Sequence, residues 1–257
     1  MLLVLSPAKS LELSKEIDCS ISSIPIFQKE VEPIAKVLKK LSVKQIESKF
    51  SLSNKLATLN YERYKELGSV ENIQSARQAI FTFDGDVYVG FDAFSLDKKQ
   101  FDFTQNTVRI LSGLYGILKP FDLIEPYRLE MGSDIVIGRK KNLYQYWSEN
   151  VTKSLQVELT KSKSDYLLNL ASNEYFKVVN KKQFAGKIID VDFLEEENKV
   201  LKNISFFSKK ARGLMARYIV DNEISKPEDI QYFDIERYKF NKKMSSESKY
   251  IFTRKKK

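Results

Sequence analysis

The chain begins with a short unbroken apolar run, "LLVL" (Leu2–Leu5), which gives way at once to the polar loop "SPAKS". A run of this length bounded by turn residues predicts a buried strand. Ile24, Phe27, Val31, Ile34, Leu38 and Leu41 then recur at intervals of three and four, the period of one helical face, with Pro33 predicting a kink or a fresh start within it. "SLSNKLATLNYERYKELG" has serines at its front and Gly68 at its end, the punctuation of a complete helix. "AIFTFDGDVYVG" alternates Phe81 and Phe83, then Val87 and Val89, about Asp84-Gly85, which predicts a hairpin. "LDKKQFDFTQNTVRILSG" returns to helical spacing, "NLYQYWSENVTKSLQVEL" predicts a long amphipathic helix and "DYLLNLAS" a buried strand. "KIIDVDFLEEENKVLKNISFFS" predicts a second hairpin with Glu195, Glu196 and Glu197 in its solvated turn. "SKKARGLMARYIVDNEI" predicts a helix behind a serine cap, a small helix follows Ser225, and the end of the chain predicts a last strand pair.

Helices and strands mix without regular alternation, so the expected class is α+β (mixed α/β). No repeat, low-complexity tract or Gly/Ser linker divides the chain, and a single domain over residues 1–252 is expected, followed by a basic tail at 253–257.

Composition narrows the chemistry by what is missing. The 257 residues contain no histidine and one cysteine, Cys19. Ser-His-Asp and Cys-His catalysis are excluded, as are zinc, haem and iron sites that depend on imidazole. No resident metal and no cofactor are expected. A lone cysteine suits a reducing cytoplasm, and neither a membrane span nor a leader peptide is legible, so a cytoplasmic monomer is the expectation.

The formal net charge is +9, but nine Lys or Arg against one acid between Arg237 and Lys257 account for +8 of it. The preceding 236 residues carry only +1. A binding surface therefore has to be sought in local clusters, and the tail reads equally as a solubilising end.

Five clusters stand out. Gly113 and Gly116, three apart behind Ser112 and followed by Lys119-Pro120, form either a backbone cradle for phosphate or a plain sharp turn. Lys209, Lys210, Arg212 and Arg217 load the start of a helix with cations, which its dipole disfavours; bound anions or carboxylates from elsewhere in the fold would compensate. Lys9 follows the first strand, where ligand groups commonly sit. Arg128 and Glu130, two apart, share a face if extended, as a salt bridge or as a cation clamp beside a candidate general base. Asn169, Ser172, Asn173 and Glu174 surround a strand end, where a helix cap is the simpler reading and Glu174 the second acid/base candidate.

Taken in order, "SPAKSL", "RQAIFTFDGDVY", "FDFTQ", "LSGLYGILKPFDLIEPYRLEMG", "LYQYW", "NLASNEYFK" and "SFFSKKARGLMARYI" resemble the YaaA family of bacterial peroxide-stress proteins across nearly the whole chain. The resemblance implies a family-specific single-domain fold with a basic cleft and a helix-hairpin-helix-like element, here over Leu111–Asp122. It also implies binding of double-stranded or branched DNA and a part in limiting free intracellular iron. The usual hairpin has its glycines two apart behind a proline, a departure in this chain. With no histidine and one cysteine, direct iron sequestration does not fit, and an indirect route does.

Two functions follow. The first is sequence-nonspecific DNA binding, with Lys9, Lys119, Arg128, Lys209, Lys210, Arg212 and Arg217 lining one cleft and the amides of Gly113 and Gly116 meeting phosphate. The second is an enzyme acting on a nucleotide or other phosphorylated small molecule, with Glu130 or Glu174 as acid/base and Lys9 and Arg128 holding phosphate. A narrow pocket sized for one phosphate would favour the enzyme, and an open surface of duplex width would favour DNA.

Overall fold

All four residues of β1 (Leu2–Leu5) are buried, and such a strand is stable only between two neighbours with both faces covered. In the computed structural model, which describes residues 1–68 and 74–255, β1 lies within an eight-stranded sheet. The other strands are β2 (Val108–Ser112), β3 (Gly116–Leu118), β4 (Tyr166–Asn169), β5 (Lys187–Glu197), β6 (Val200–Lys202), β7 (Lys239–Phe240) and β8 (Lys249–Lys255). Their spatial order is β7-β8-β5-β4-β1-β2-β3, with β6 against β5. β1 runs parallel to β2 on one side and to β4 on the other, with Leu3 opposite both Val108 and Leu168. β4, β5 and β8 continue the parallel run. The antiparallel strands are β3, β6 and β7.

The mixed α/β expectation holds, and the sheet's core is parallel. Parallel neighbours require long crossovers. The one from β1 to β2 spans residues 6–107 and holds α1 (Gln28–Leu38), α2 (Val43–Phe50), α3 (Asn54–Glu66), α4 (Asp86–Phe91) and α5 (Lys98–Thr107). A crossover that long hides the β-α-β rhythm from a sequence pattern. Later come α6 (Leu143–Lys161), the short α7 (Asn173–Phe176) and α8 (Ser205–Asp221).

Several elements match their patterns. Val31, Ile34 and Leu38 are buried on α1, which continues through Pro33, although the helix begins at Gln28 and leaves Ile24 75% exposed. Beyond α3, Gly68 takes the left-handed conformation (φ +77) that ends a helix without strain. The expected long helix is α6, and the expected β5–β6 hairpin turns through Asn198 and Lys199, both at positive φ.

Four expectations are corrected. Residues 79–90 are not a hairpin: Ala79–Thr82 form a helical turn, Phe83–Asp84 pair with Ser10–Leu11, and α4 follows. Burial decides this, because Val87, Tyr88 and Phe91 pack at helical spacing while Gly90 and Gly213 let α4 and α8 touch backbone to backbone. The segment Leu111–Asp122 is not helix-hairpin-helix but strand, turn and strand, with Ser112 opposite Gly116. Gly116 has φ +71 and lies under the Trp147 ring, and Trp147 Nε1 donates to the Gly113 carbonyl at 2.9 Å. Glu195 is not in a solvated turn; it is 2% exposed within β5. The basic segment expected at 253–257 begins inside β8, where Thr253, Arg254 and Lys255 pair with Leu194, Glu195 and Glu196. Residues 256–257 lie outside the described residues.

Candidate functional site

The second parallel strand lies on one side of β1 and the third on the other, so the direction of winding reverses between β1 and β4. At such a switch point the loops leaving the two carboxyl ends diverge and open a crevice, the usual ligand position in open parallel sheets. Here those loops are Ser6–Lys9 and Leu170–Ser172. They are tied together: the Ser172 amide donates to Ser6 Oγ at 2.8 Å, and Ser6 Oγ donates to Ser172 Oγ at 3.3 Å. Ser172 stands at the N-cap position of α7 but its hydroxyl faces Ser6 and makes no cap bond. Tyr88, buried on α4, donates to the Ser6 carbonyl at 3.1 Å.

The extended segment through Arg128 and Glu130 crosses this crevice. Arg128 Nε donates to Glu130 Oε1 at 3.1 Å, and Lys9 Nζ lies 3.6 Å from the same oxygen. Tyr64 donates to the Arg128 carbonyl, and the Gly132 amide donates to Glu174 Oε1 at 3.2 Å. Lys9, Arg128 and Glu130 therefore converge, and Glu174 is tied to the same segment through the Gly132 amide. Beneath them Tyr88, Tyr127 and Tyr175 have their phenol pKa values raised, mainly by burial, so they stay protonated donors. Tyr127 spends its hydroxyl on Ser112 at 2.6 Å. Pro7, Lys9, Arg128, Glu130 and Tyr175 leave a cavity of only about 10 Å³, room for a single water.

Beside it the crest is open. Asn169, Asn173, Phe176, Lys177, Lys181 and Asp190 line a recess of about 300 Å³ at the carboxyl end of β4. Asn169 holds its shape, donating to Asp190 Oδ1 at 2.7 Å and accepting from the Ala171 amide at 3.0 Å. Lys181 bonds Asp190 Oδ2 at 3.1 Å and covers the Phe176 ring, while Lys177 covers the Tyr144 ring at 5.0 Å. Tyr144 donates to the Glu174 carbonyl at 2.8 Å, which brings the start of α6 and the exposed Arg139, Lys140 and Lys141 before it toward the same crest. Among the described residues, no ion pair engages Lys140, Lys141, Lys177 or Lys182.

The remaining expected cations go elsewhere. Lys119 lines a separate cavity with Arg109. Lys210 bonds Glu236 at 2.6 Å, and Arg217 bonds Asp221 at 2.6 Å along with the Asp92 carbonyl and Ser95. Burial lowers the pKa of Arg212 against the pull of Asp192, and its Nε has no hydrogen-bond partner among the described residues. Of the four cations expected on that helix, only Lys209 is exposed. Carboxylates thus pair with two of the four cations on α8, Lys210 and Arg217. Gly113 and Gly116 are buried and their amides do not reach the surface. The sequence reading missed Lys177, Lys181, Lys182 and Asp190; the lysines directly after "NLASNEYF" were the available signal.

A sequence profile described as peroxide stress protein YaaA matches residues 1–244. A UPF0246 protein of Flavobacterium johnsoniae is 44% identical over 254 residues, covering 99% of this chain and 100% of that protein. One from Polynucleobacter asymbioticus is 45% identical over 99% of this chain and 98% of its own length, and one from Colwellia psychrerythraea 46% over 99% of each. By full-length likeness to the profile and to these relatives, the chain belongs to the YaaA family of peroxide stress proteins.

Proposed function

We propose that this chain serves peroxide-stress resistance by holding the phosphate backbone of double-stranded or branched DNA on the basic crest at the carboxyl end of its parallel sheet. The observation that carries this reading is the set of exposed lysines that make no ion pair among the described residues, Lys140, Lys141, Lys177 and Lys182, of which Lys177 lines the recess together with Lys181. Unpaired lysines on open ground hold phosphates without reading sequence. Lys9 and Arg128 sit at the inner margin of this surface, partly neutralised by Glu130. The basic surface is thus centred differently from the cleft expected from the sequence. Any effect on iron toxicity is indirect in this reading, through shielded DNA, because among the described residues no group of three or more acidic or thiol side chains is placed to hold a metal.

The test is a binding panel of duplex, junction and single-stranded DNA at two salt concentrations. Affinity should fall with salt, each phosphate contact contributing a slope of about −0.9 in log K against log salt on duplex. DNA binding that is absent, or insensitive to salt, overturns the proposal.

A second reading, an enzyme acting on a nucleotide or other phosphorylated small molecule, is favoured by one observation: Glu130 is held between Lys9 and Arg128 at the switch point. It requires that crevice to open well beyond its present volume of about 10 Å³. Turnover of a phosphorylated substrate that Glu130→Gln abolishes would establish it over DNA binding.

A further inference from the structure

A second cavity, separate from the recess at β4, lies against the β3 edge of the sheet. It has a volume of about 550 Å³, within the range of small-molecule sites. One wall is the edge strand β3 with Ile117 and Leu118, continued by Lys119; another is the loop with Ser23, Ile24, Ile26 and Phe27; the third is α6. From α6, Asn150, Lys153, Ser154, Val157, Glu158 and Lys161 face it, at the three- and four-residue spacing of one helical side.

Two features of this cavity together specify a ligand. Its lining is mainly apolar, yet Ile24, Ile26 and Val157 remain exposed, at 75%, 63% and 43%. A soluble surface seldom leaves such side chains grouped around a hollow without a use for them. Its charges do not balance. Arg109 is paired with Glu158, and Asp122 accepts from the Ser23 hydroxyl at 2.6 Å and the Lys119 amide at 2.8 Å. Lys119, Lys153 and Lys161 stand at the cavity with no ion pair among the described residues.

We propose that this cavity binds an amphipathic small-molecule anion, an apolar body bearing one carboxylate. The body lies against Ile24, Ile26, Ile117 and Val157, and the head meets the ammonium groups of Lys153 and Lys161. A phosphate backbone does not suit it, because the walls are apolar. A free cation does not suit it, because Asp122 and Glu158 already have partners.

The probe is decanoate, followed by calorimetric titration of the full chain below its micellar concentration, with 1-decanol and decyltrimethylammonium as matched neutral and cationic controls. Decanoate should saturate one site per chain and bind about tenfold or more tighter than either control. Val157→Trp, which fills the mouth from an exposed helix position, and Lys153→Gln with Lys161→Gln, which removes the charge, should each weaken decanoate by about tenfold or more. Circular dichroism and urea midpoints of these surface variants confirm that they fold. Absent saturation, equal binding of the cationic control, or unchanged affinity in both variants overturns the proposal. So does an acidic amphipathic peptide that occupies the site when decanoate does not. DNA affinity should be the same in these variants as in the parent, which separates this site from the crest.

Discussion

Arg254 Nε lies 2.8 Å and 2.9 Å from the two carboxylate oxygens of Glu195, so the last strand is fastened to β5 by a forked ion pair that is almost wholly buried. Tyr238 donates to the same carboxylate, and its ring lies 4.3 Å from the guanidinium. Removing one partner would leave the other charge buried and unpaired. Arg254→Leu should therefore cost about 3–5 kcal/mol, whereas the double variant with Glu195→Leu should recover much of that loss. Urea denaturation of the two single variants and the double variant measures the coupling; losses that simply add would show that the pair does not act as a unit.

Arg254 also reaches Glu236 at 2.7 Å, and Lys210 reaches its other oxygen at 2.6 Å. Burial by itself would raise the Glu236 pKa, but the hydrogen bonds from Lys210 and Arg254 prevail and hold it below the ordinary 4.5. A carboxylate depressed in the folded state contributes stability that is fully present above that ordinary value and is lost as pH falls through the folded-state value. Glu236→Gln should thus be less stable than the parent at neutral pH, with the difference shrinking on acidification. A gap that widens in acid would contradict this assignment.

The crossing of α4 and α8 depends on two missing methyl groups. A Cβ at Gly213 would stand 1.9 Å from the Val87 carbonyl oxygen, and one at Gly90 2.2 Å from that of Lys210. Backbone cannot step aside as a side chain can, so Gly213→Ala should cost about 3 kcal/mol, the upper end for overpacking. Gly68→Ala meets nothing within 4 Å and should cost only the strain of its positive φ, about 1–2 kcal/mol. Thermal or urea unfolding of both tests the contrast.

On the crest, Lys177→Gln and Lys182→Gln should weaken every duplex sequence alike and each lower the salt slope by about 0.9 for a lost phosphate contact. Lys119→Gln, at the cavity beside β3, should leave DNA binding as it was. Fluorescence anisotropy across a salt series reads both outcomes, and a Lys119 effect equal to that of Lys177 would move the binding surface.

Glu130→Gln removes the charge that Lys9 and Arg128 share. In the DNA reading its affinity should equal or exceed that of the parent, by up to about tenfold for one repelling charge removed near phosphate. A marked loss would instead assign the carboxylate a direct role with the ligand.

Local pattern and chain order determined a good deal. The apolar run of β1, the stripe of Val31, Ile34 and Leu38, the Gly68 stop and the pairing of β5 with β6 all follow from short-range rules, and the structure has them. The extended Arg128 and Glu130 share a face because alternate residues must, and their meeting with Lys9 was readable in type though not in geometry. Tertiary structure alone decided the rest. The same DG-containing stretch that suits a hairpin became α4 because a helix there buries Val87, Tyr88 and Phe91 against α8. Likewise, Gly113 and Gly116, equally suited to a phosphate turn, went under Trp147. Whether a lysine or arginine is free or neutralised depends on which carboxylate the fold brings within reach. Arg217 and Lys210 found Asp221 and Glu236, whereas Lys177 lies over an aromatic ring and makes no ion pair among the described residues. Charge in a sequence is additive, but the field that a ligand meets depends on distance and burial, and those come from packing.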